Sequence, residues 1–144
     1  MNASEQATNV TVASKIAAVV NLFKSEFPDI RADLKPWMND EETRELVDPE
    51  SIDLGFHFPG VSRSAQSRSL LVQIRLGQGS LSTTPRVIGV DVVGFDHRGK
   101  QWQLSTIDHW QFVGNTTPAP AVAEKLKRFC CQVFDVFNGS QMAS

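Results

Sequence analysis

Hydrophobic residues near the start of the chain recur at steps of three and four positions, the spacing of one face of an α-helix. The stripe comprises Val12, Ile16, Val19, Val20, Phe23 and Phe27. Asn9 or Thr11 can cap the start of this helix, and the ring of Pro28 prevents its continuation. The pattern therefore predicts a long amphipathic helix over residues 9–27.

Two short helices are predicted in the irregular segment that follows. Residues 29–35 have room for one helical turn before Pro36. Asn39 and Glu42 then have the spacing of a capping box, and acidic residues suit the first turn of a helix. We expect this second short helix to end before Pro49, because the residue ahead of a proline disfavours helical geometry.

From residue 51 onward the hydrophobic period changes to two, which is typical of half-buried β-strands. Four strands are predicted, over residues 51–58, 70–76, 86–95 and 100–112. Pro59 and Gly60 are expected to end the first of them. The alternation leaves one apolar and one polar side, so the sheet has one face for the core and one polar face.

A tight hairpin is predicted between the third and fourth strands. His97, Arg98 and Gly99 form a three-residue loop with glycine at the left-handed position, which favours a hairpin with a bulge. The resulting register pairs Val90 with Thr106, Asp91 with Ser105, Val92 with Leu104, Val93 with Gln103 and Gly94 with Trp102. The apolar members of these pairs fall on one side, so turn chemistry and hydrophobic pattern agree.

The chain ends in a second long amphipathic helix. Thr117 is the expected N-cap, Pro118 the first helical residue, and Gly139 the left-handed stop. Its apolar stripe contains Val122, Leu126, Phe129, Val133, Val136 and Phe137, widened by Ala123, Cys130 and Phe134. A stripe this wide is typical of a helix that lies on a sheet.

The order of elements predicts an α+β fold in which helices bracket the strands instead of alternating with them. We expect a four-stranded antiparallel sheet flanked by two long helices, one N-terminal and one C-terminal, and by two short helices. Residues 1–144 are expected to form a single domain, since this length is typical of one domain. The first or second strand is expected to lie at an open edge, because the connection between them is long and polar.

The overall charge argues against two classes of partner. Fourteen basic residues stand against 16 acidic ones, for a net charge of −2, so the chain lacks the general basic character of nucleic-acid-binding proteins. No apolar run is long enough for a transmembrane helix, and no secretory signal is visible. The two cysteines are adjacent in sequence, which suits a reducing compartment. A cytoplasmic protein with no membrane partner is therefore expected.

The small net charge hides two segments of opposite sign. Residues 26–53 carry ten acidic and three basic side chains, whereas residues 60–90 carry four arginines and no acidic residue. These arginines are Arg63, Arg68, Arg75 and Arg86. Two interpretations stay open: two solvated surfaces that neutralise each other, or a basic loop that docks an acidic partner, including another copy of the chain.

Motifs for catalysis or cofactor binding are absent from the sequence. It contains no phosphate-binding or dinucleotide-binding glycine loop, no nucleophile elbow and no zinc-ligand spacing, so neither a cofactor nor a metal is expected. His57, His97 and His109 are each interpreted as surface or structural residues. Asp108 and His109 would point to opposite faces of a strand, which argues against a catalytic pair.

The polar face of the predicted sheet supports an alternative function. Asp91 and Ser105 face the same side, and Asp53 joins them if the first strand is close. Such a cluster, with His109 nearby, would suit a small-molecule-binding enzyme or sensor. The competing interpretation is an ordinary solvated face.

Protein binding is the leading hypothesis, because catalytic motifs are absent and a small one-sided sheet has open edges that capture extended peptides. Trp102 and Trp110 are expected in the core, whereas Trp37 is either core or an exposed interface anchor. The candidate protein-binding residues are Trp37, Met38, Arg63, Arg68, Leu71, Gln73 and Arg75.

Two segments carry a resemblance to a known family. The last helix has the sequence AVAEKLKRFCCQVFDVFNG at 121–139, and the hairpin has VIGVDVVGFDHRGKQWQLSTIDHW at 87–110. In these segments the chain resembles the CcmS-type β-carboxysome assembly factors of cyanobacteria and related chaperone-like adaptors. The resemblance implies a non-enzymatic adaptor, cytoplasmic or carboxysome-associated, that binds the C-terminal extension of a shell protein.

Overall fold

The computed structural model describes residues 1–37, 48, 50–77 and 86–139. Its elements, in chain order, are α1 (Ala3–Gln6), α2 (Val10–Glu26), β1 (Arg31–Asp33), β2 (Ser51–Ser62), β3 (Ser67–Leu76), β4 (Val87–Asp96), β5 (Gly99–Ser105), β6 (Phe112–Gly114) and α3 (Pro120–Asn138). The predicted short helix that begins near Asn39 lies outside the described residues, as does the candidate residue Met38.

Six strands in this part of the chain form one antiparallel sheet, in which every strand pairs with its neighbour in sequence. The predicted α+β class is confirmed, but a sheet of four strands was wrong. Residues 31–33 form strand β1 where a helical turn was predicted, because they pair with residues 55–57 of β2. The predicted fourth strand is divided into β5 and β6 by a turn in which His109 and Trp110 have positive φ.

Helices α2 and α3 cover the same face of the sheet, and aromatic rings join the three elements. Phe23 of α2 stacks on Phe56 of β2 with ring centroids 4.0 Å apart, and it meets Phe129 of α3 edge-on at 4.8 Å. All three rings are fully buried. Contacts between buried aromatic rings add to the stability gained from burial, so this trio anchors both helices to the sheet.

The predicted hairpin register is confirmed from Asp91–Ser105 to Gly94–Trp102. The loop itself is shorter than predicted, because Asp96 pairs with Gly99 and leaves only two residues between the strands. The register shifts between Gly94 and Phe95, so the bulge lies within the hairpin and not at its tip. Gly99 has a φ of 108°, the left-handed conformation that its position in the turn requires.

The ends of the long helices follow local chemistry. The Asn9 side chain accepts a hydrogen bond of 2.9 Å from the Val12 amide and caps α2, as predicted. Helix α3 begins at Pro120, not at Pro118 after a Thr117 cap. The Ala119 amide donates a hydrogen bond of 2.7 Å to the Ser64 carbonyl, which holds the preceding chain against the β2–β3 turn. The short helix α1 was not predicted.

Strand β2 is longer than the hydrophobic pattern predicted. Pro59 and Gly60 do not end it, and it continues to Ser62, which pairs with Ser67. Strand β1 covers only residues 55–57 of β2, so Pro59 lies where no ladder hydrogen bond to β1 is lost.

The first or second long strand was predicted to form an open edge of the sheet, and this was wrong for most of the length of these two strands. Those strands are β2 and β3, which are internal, and the outer strands are β1 and β6. Each outer strand has three residues, too few to give a periodic signal. No helix in the described part of the chain is long and apolar enough to span a membrane.

Candidate functional site

The face of the sheet opposite α2 and α3 is called the open face here. Along β3, the residues Leu71, Gln73 and Arg75 alternate with the buried Leu70, Val72, Ile74 and Leu76, so these three candidates share the open face. On β4 the open-face positions include Asp91, Val93 and Phe95, which pair directly with residues 73, 71 and 69 of β3. On the open face, the polar pair of Gln73 and Asp91 therefore lies next to the apolar pair of Leu71 and Val93.

Trp37 is half-buried and is fixed beside this face by hydrogen bonds. Its backbone amide donates to the Asn2 side-chain oxygen at 2.9 Å, and the Asn2 side-chain amide donates back to the Trp37 carbonyl at 3.1 Å. The indole N–H donates to the Asp53 carboxylate. Trp37 is therefore fixed in place at the border of the open face. It is neither a fully buried core residue nor a fully exposed interface anchor, the two alternatives predicted from the sequence.

A pocket of about 220 Å³ lies on the open face. Its lining residues are Asp33, Pro36, Trp37, Gly55, His57, Ser69, Leu70, Leu71 and Phe95. It joins two of the predicted binding residues, Trp37 and Leu71, to polar residues that were not predicted as a site. We call it the open-face pocket.

A serine, a histidine and an aspartate from three adjacent strands meet in the open-face pocket. The Ser69 Oγ lies 2.9 Å from His57 Nδ1, and the Asp33 Oδ2 lies 3.5 Å from His57 Nε2. From its sequence, His57 was expected to be a surface or structural residue. Its proximity to Ser69 follows from the β2–β3 register, and its contact with Asp33 requires strand β1, where a helical turn was predicted.

Arg75 has intramolecular partners. Its Nε donates to the Asp91 carboxylate at 2.8 Å, and its guanidinium lies 3.2 Å from Asp48. Burial acts to lower the pKa of Arg75, but the hydrogen bond that Arg75 donates to Asp91 and the surrounding carboxylates raise it overall. Arg75 thus joins the acidic and basic segments inside the molecule, in line with mutual neutralisation. The second oxygen of Asp91, Oδ1, is buried and has no hydrogen-bond partner among the described residues.

The predicted cluster of Asp53, Asp91, Ser105 and His109 does not assemble as one site. Asp91 does oppose Ser105, but Gln73 lies between Asp53 and Asp91 in the sheet. Asp53 is fully buried and accepts hydrogen bonds from Ser51 and Trp37.

His109 lies in the turn after β5 with 83% of its side chain exposed. There it contacts Asp108 at 3.3 Å, which corrects the prediction that these neighbours point to opposite faces of a strand. Among the described residues, no three His, Cys, Asp or Glu side chains converge as metal ligands.

A second concavity lies at the uncovered end of β2. This groove, of about 310 Å³, is lined by residues 26–30 on one wall and by residues 58–62 and Ser64 on the other. We call it the edge groove. Arg63 lies between two of its lining residues, and both Arg63 and Arg68 are exposed near the β2–β3 turn. Neither arginine lines the open-face pocket or the edge groove; Arg63 is next to the groove in sequence, and Arg68 lies at the start of β3.

The cysteines do not form part of either concavity. Cys130 is fully buried in the core, and this burial raises the pKa of its thiol to about 12. Cys131, the next residue on α3, is exposed. A buried thiol of this kind packs as a small apolar side chain and is not a nucleophile at neutral pH.

Comparison with known proteins gives a family without a functional description. No curated protein and no solved structure matches this chain. The likeness to carboxysome assembly factors therefore stays a prediction from sequence. One family model covers nearly all of the chain, so the protein belongs to the family of a domain of unknown function, matched over residues 4–139.

Proposed function

We propose that the protein is an adaptor that binds an extended segment of a partner protein in the edge groove. The observation that carries this proposal is that strand β1 leaves residues 58–62 of β2 unpaired on its side. In the part of the chain that the structure describes, β1 pairs with residues 55–57, and β2 continues to Ser62 beside the groove, with a shift of its register against β3 between His57 and Ser62. A partner segment placed there would extend the line of β1 along the sheet.

Backbone groups supply the first part of the proposed recognition. A strand edge offers N–H and C=O groups that an incoming extended chain can pair with, whatever its side chains. Pro59 has no N–H, so the pairing would be made through Gly60, Val61 and Ser62. The space beside Gly60 is open to an approaching chain, since a Cβ built there meets nothing within 4 Å.

Side chains around the groove supply the second part. Phe27 and Phe58 are half-buried and touch edge-on, with ring centroids 5.9 Å apart, and Val61 is 58% exposed. An apolar side chain of the partner would cover these groups and remove their surface from water. Glu26 and Asp29 on one wall and Arg63 at the turn have opposite charges, which would set the direction in which the segment enters.

The family resemblance suggests which segment to test first. Factors of the CcmS type bind the C-terminal extension of a carboxysome shell protein, so an extension of that kind is the proposed ligand. The proposed location is the cytoplasm, in association with the carboxysome. A binding role at the edge groove requires neither a metal nor a cofactor.

The test is fluorescence anisotropy with labelled peptides from shell-protein C-terminal extensions. We expect the Val61→Asp variant to bind such a peptide at least about tenfold more weakly, because a charge would face the partner's apolar side chain. The matched control is Val113→Asp, on the edge strand β6, where the valine is 66% exposed. This control should bind normally.

Three results would overturn the proposal. The first is that no peptide binds the unaltered protein, and the second is equal binding by the Val61→Asp variant. The third is a self-association, seen by sedimentation, that Val61→Asp abolishes while peptide binding persists. In that case the occupant of the groove is a second copy of the chain.

A further inference from the structure

We propose that Ser69 is an activated nucleophile that accepts an acyl group from activated esters. This inference goes beyond the adaptor role, and it rests on the open-face pocket instead of the edge groove. The sequence contains no serine-nucleophile motif, and the activation comes from residues that the sheet brings together.

The sheet register fixes the position of the three side chains. His57 of β2 pairs directly with Ser69 of β3, so their side chains stand side by side on the open face. Asp33 of β1 pairs with Gly55, two residues before His57, and is therefore a diagonal neighbour of the imidazole. All three residues lie on paired strands of one sheet, which favours a constant geometry.

Hydrogen bonds around Asp33 determine which nitrogen of His57 acts as the base. The Lys35 amide donates to Asp33 Oδ1 at 2.9 Å, which leaves Oδ2 facing His57 Nε2 at 3.5 Å. A carboxylate beside Nε2 favours the proton on that nitrogen. Nδ1 then carries the free lone pair, 2.9 Å from the Ser69 hydroxyl. This is the arrangement of a nucleophile, a base and an orienting acid, with the two ring nitrogens exchanged relative to serine proteases.

Gly55 lies between the side chains of Asp33 and His57. A Cβ built on Gly55 would lie 3.3 Å from the Asp33 Cβ and 3.5 Å from His57 Nε2. The His57 imidazole therefore passes over Gly55 on its way to the Asp33 carboxylate. Glycine is the one residue that leaves this space without adding a group of its own.

The pocket defines the class of acyl donor. Leu71, Phe95 and Pro36 give it apolar walls, and its volume of about 220 Å³ suits a short aliphatic acyl group. Ser69 lies inside a strand paired on both sides, so its backbone amide belongs to the sheet. That amide is therefore not free to donate a hydrogen bond to the oxyanion of a tetrahedral intermediate. Because oxyanion stabilisation is commonly the largest catalytic contribution, we expect reaction with esters of good leaving groups and not with amides.

The proposed step is an acyl transfer. The Ser69 Oγ attacks the carbonyl carbon of the ester while His57 Nδ1 takes the hydroxyl proton. The bond between the carbonyl carbon and the leaving oxygen then breaks, and His57 returns the proton to the leaving alcohol or phenol. The products are one acylated serine and one free alcohol, without any change in oxidation state. Water hydrolyses the acyl-serine in a second, slower step.

The experiment uses p-nitrophenyl acetate and p-nitrophenyl butyrate with the full chain. We expect release of p-nitrophenol and the gain of one acyl group, which peptide mapping by mass spectrometry places on Ser69. The Ser69→Ala variant should lose this modification, and His57→Gln should slow it by about a hundredfold, the usual contribution of a general base. Ser105→Ala, on the same face but away from His57, is the matched control and should react normally.

Asp33 is a positioning residue, so its test uses two variants. Asp33→Asn should slow the acylation of Ser69, and Asp33→Glu should restore part of the rate, whereas thermal unfolding should be similar in both. The proposal is overturned if acylation occurs only on lysines or the amino terminus, or if it reaches Ser69 at the same rate in His57→Gln. It is also overturned if neither ester modifies a protein that is folded by circular dichroism.

Discussion

Gly94 of β4 lies directly beneath the indole ring of Trp102 on the neighbouring strand β5. The Trp102 indole N–H donates a hydrogen bond of 2.7 Å to the Ala65 carbonyl in the β2–β3 turn. Trp102 is fully buried and also meets Phe112 edge-on. The glycine thus makes room for a ring that joins the sheet to a distant turn.

Replacement of Gly94 by alanine is expected to destabilise the protein. A Cβ at this position would collide with the Trp102 ring, which cannot move without losing its hydrogen bond to Ala65. Overpacking of this kind costs about 1–3 kcal/mol in the free energy of unfolding, measured by urea denaturation. Gly60→Ala is the control, since nothing lies near its new methyl group. Equal midpoints for Gly94→Ala and the unaltered protein would contradict the argument.

The ion pair between Arg75 and Asp91 is expected to couple energetically. Asp91 is almost fully buried, whereas the Arg75 side chain is about one-third exposed, so the pair is only partly screened by solvent. A double-mutant cycle with Arg75→Gln and Asp91→Asn should give a coupling energy of about 1 kcal/mol.

The more exposed and more widely separated pair of Arg128 and Glu26, 55% and 21% exposed and 3.7 Å apart, provides the comparison for this cycle. Its coupling energy should lie close to zero, because exposed ion pairs contribute little. If both cycles gave the same value, burial would not be the reason for the stronger pair.

Protonation of Asp96 in the β4–β5 turn is expected to lower the free energy of unfolding at acid pH. Hydrogen bonds from the Arg98 side chain and amide hold the pKa of Asp96 below its ordinary value. Because the pKa is lower in the folded than in the unfolded state, the carboxylate stabilises the fold above its unfolded pKa of about 3.9. This contribution is lost as the pH falls through the lowered folded pKa.

The Arg98→Ala variant should raise the pKa of Asp96, as followed by carbon-detected NMR of its carboxyl group. The variant should also show a weaker dependence of stability on pH in the acid range. An Asp96 titration that is the same in both proteins would exclude Arg98 as the cause.

The two adjacent cysteines should differ sharply in reactivity. Burial raises the pKa of Cys130 to about 12, and its thiol is shielded, whereas Cys131 is exposed. A disulfide reagent at pH 8 should modify one thiol in the folded protein and both after denaturation. In Cys131→Ser the rapid reaction should disappear. A rapid reaction that persists in this variant would show that the core around Cys130 opens easily.

Much of the fold was predictable because long elements carry repeated signals. The stripe through Val12, Ile16 and Phe23 specifies the buried face of α2, and loop chemistry at Gly99 places Asp91 opposite Ser105. Strands β1 and β6 have three residues each and hold their places through pairing with longer strands. Hydrophobic periodicity contains no information at that length.

The candidate sites were predictable only in part, because they depend on contacts between strands. Leu71 and Arg75 share the open face, which alternation alone predicts. The contact between Asp33 and His57 depends on the β1–β2 register, and a 17-residue separation between β1 and β2 gives no turn signal from which that register follows. The edge groove likewise depends on where β1 stops covering β2.

The order in which strands follow one another in the sheet has a kinetic consequence. Each strand joins a partner next to it in sequence, so the sheet can grow through local hairpins. Helices α2 and α3 come from opposite ends of the chain, and their contact between Phe23 and Phe129 closes a loop of about 100 residues.

We therefore expect α3 to dock after the rate-limiting barrier. Truncation of the buried Leu126 to alanine should accelerate unfolding while leaving the refolding rate nearly unchanged in stopped-flow measurements.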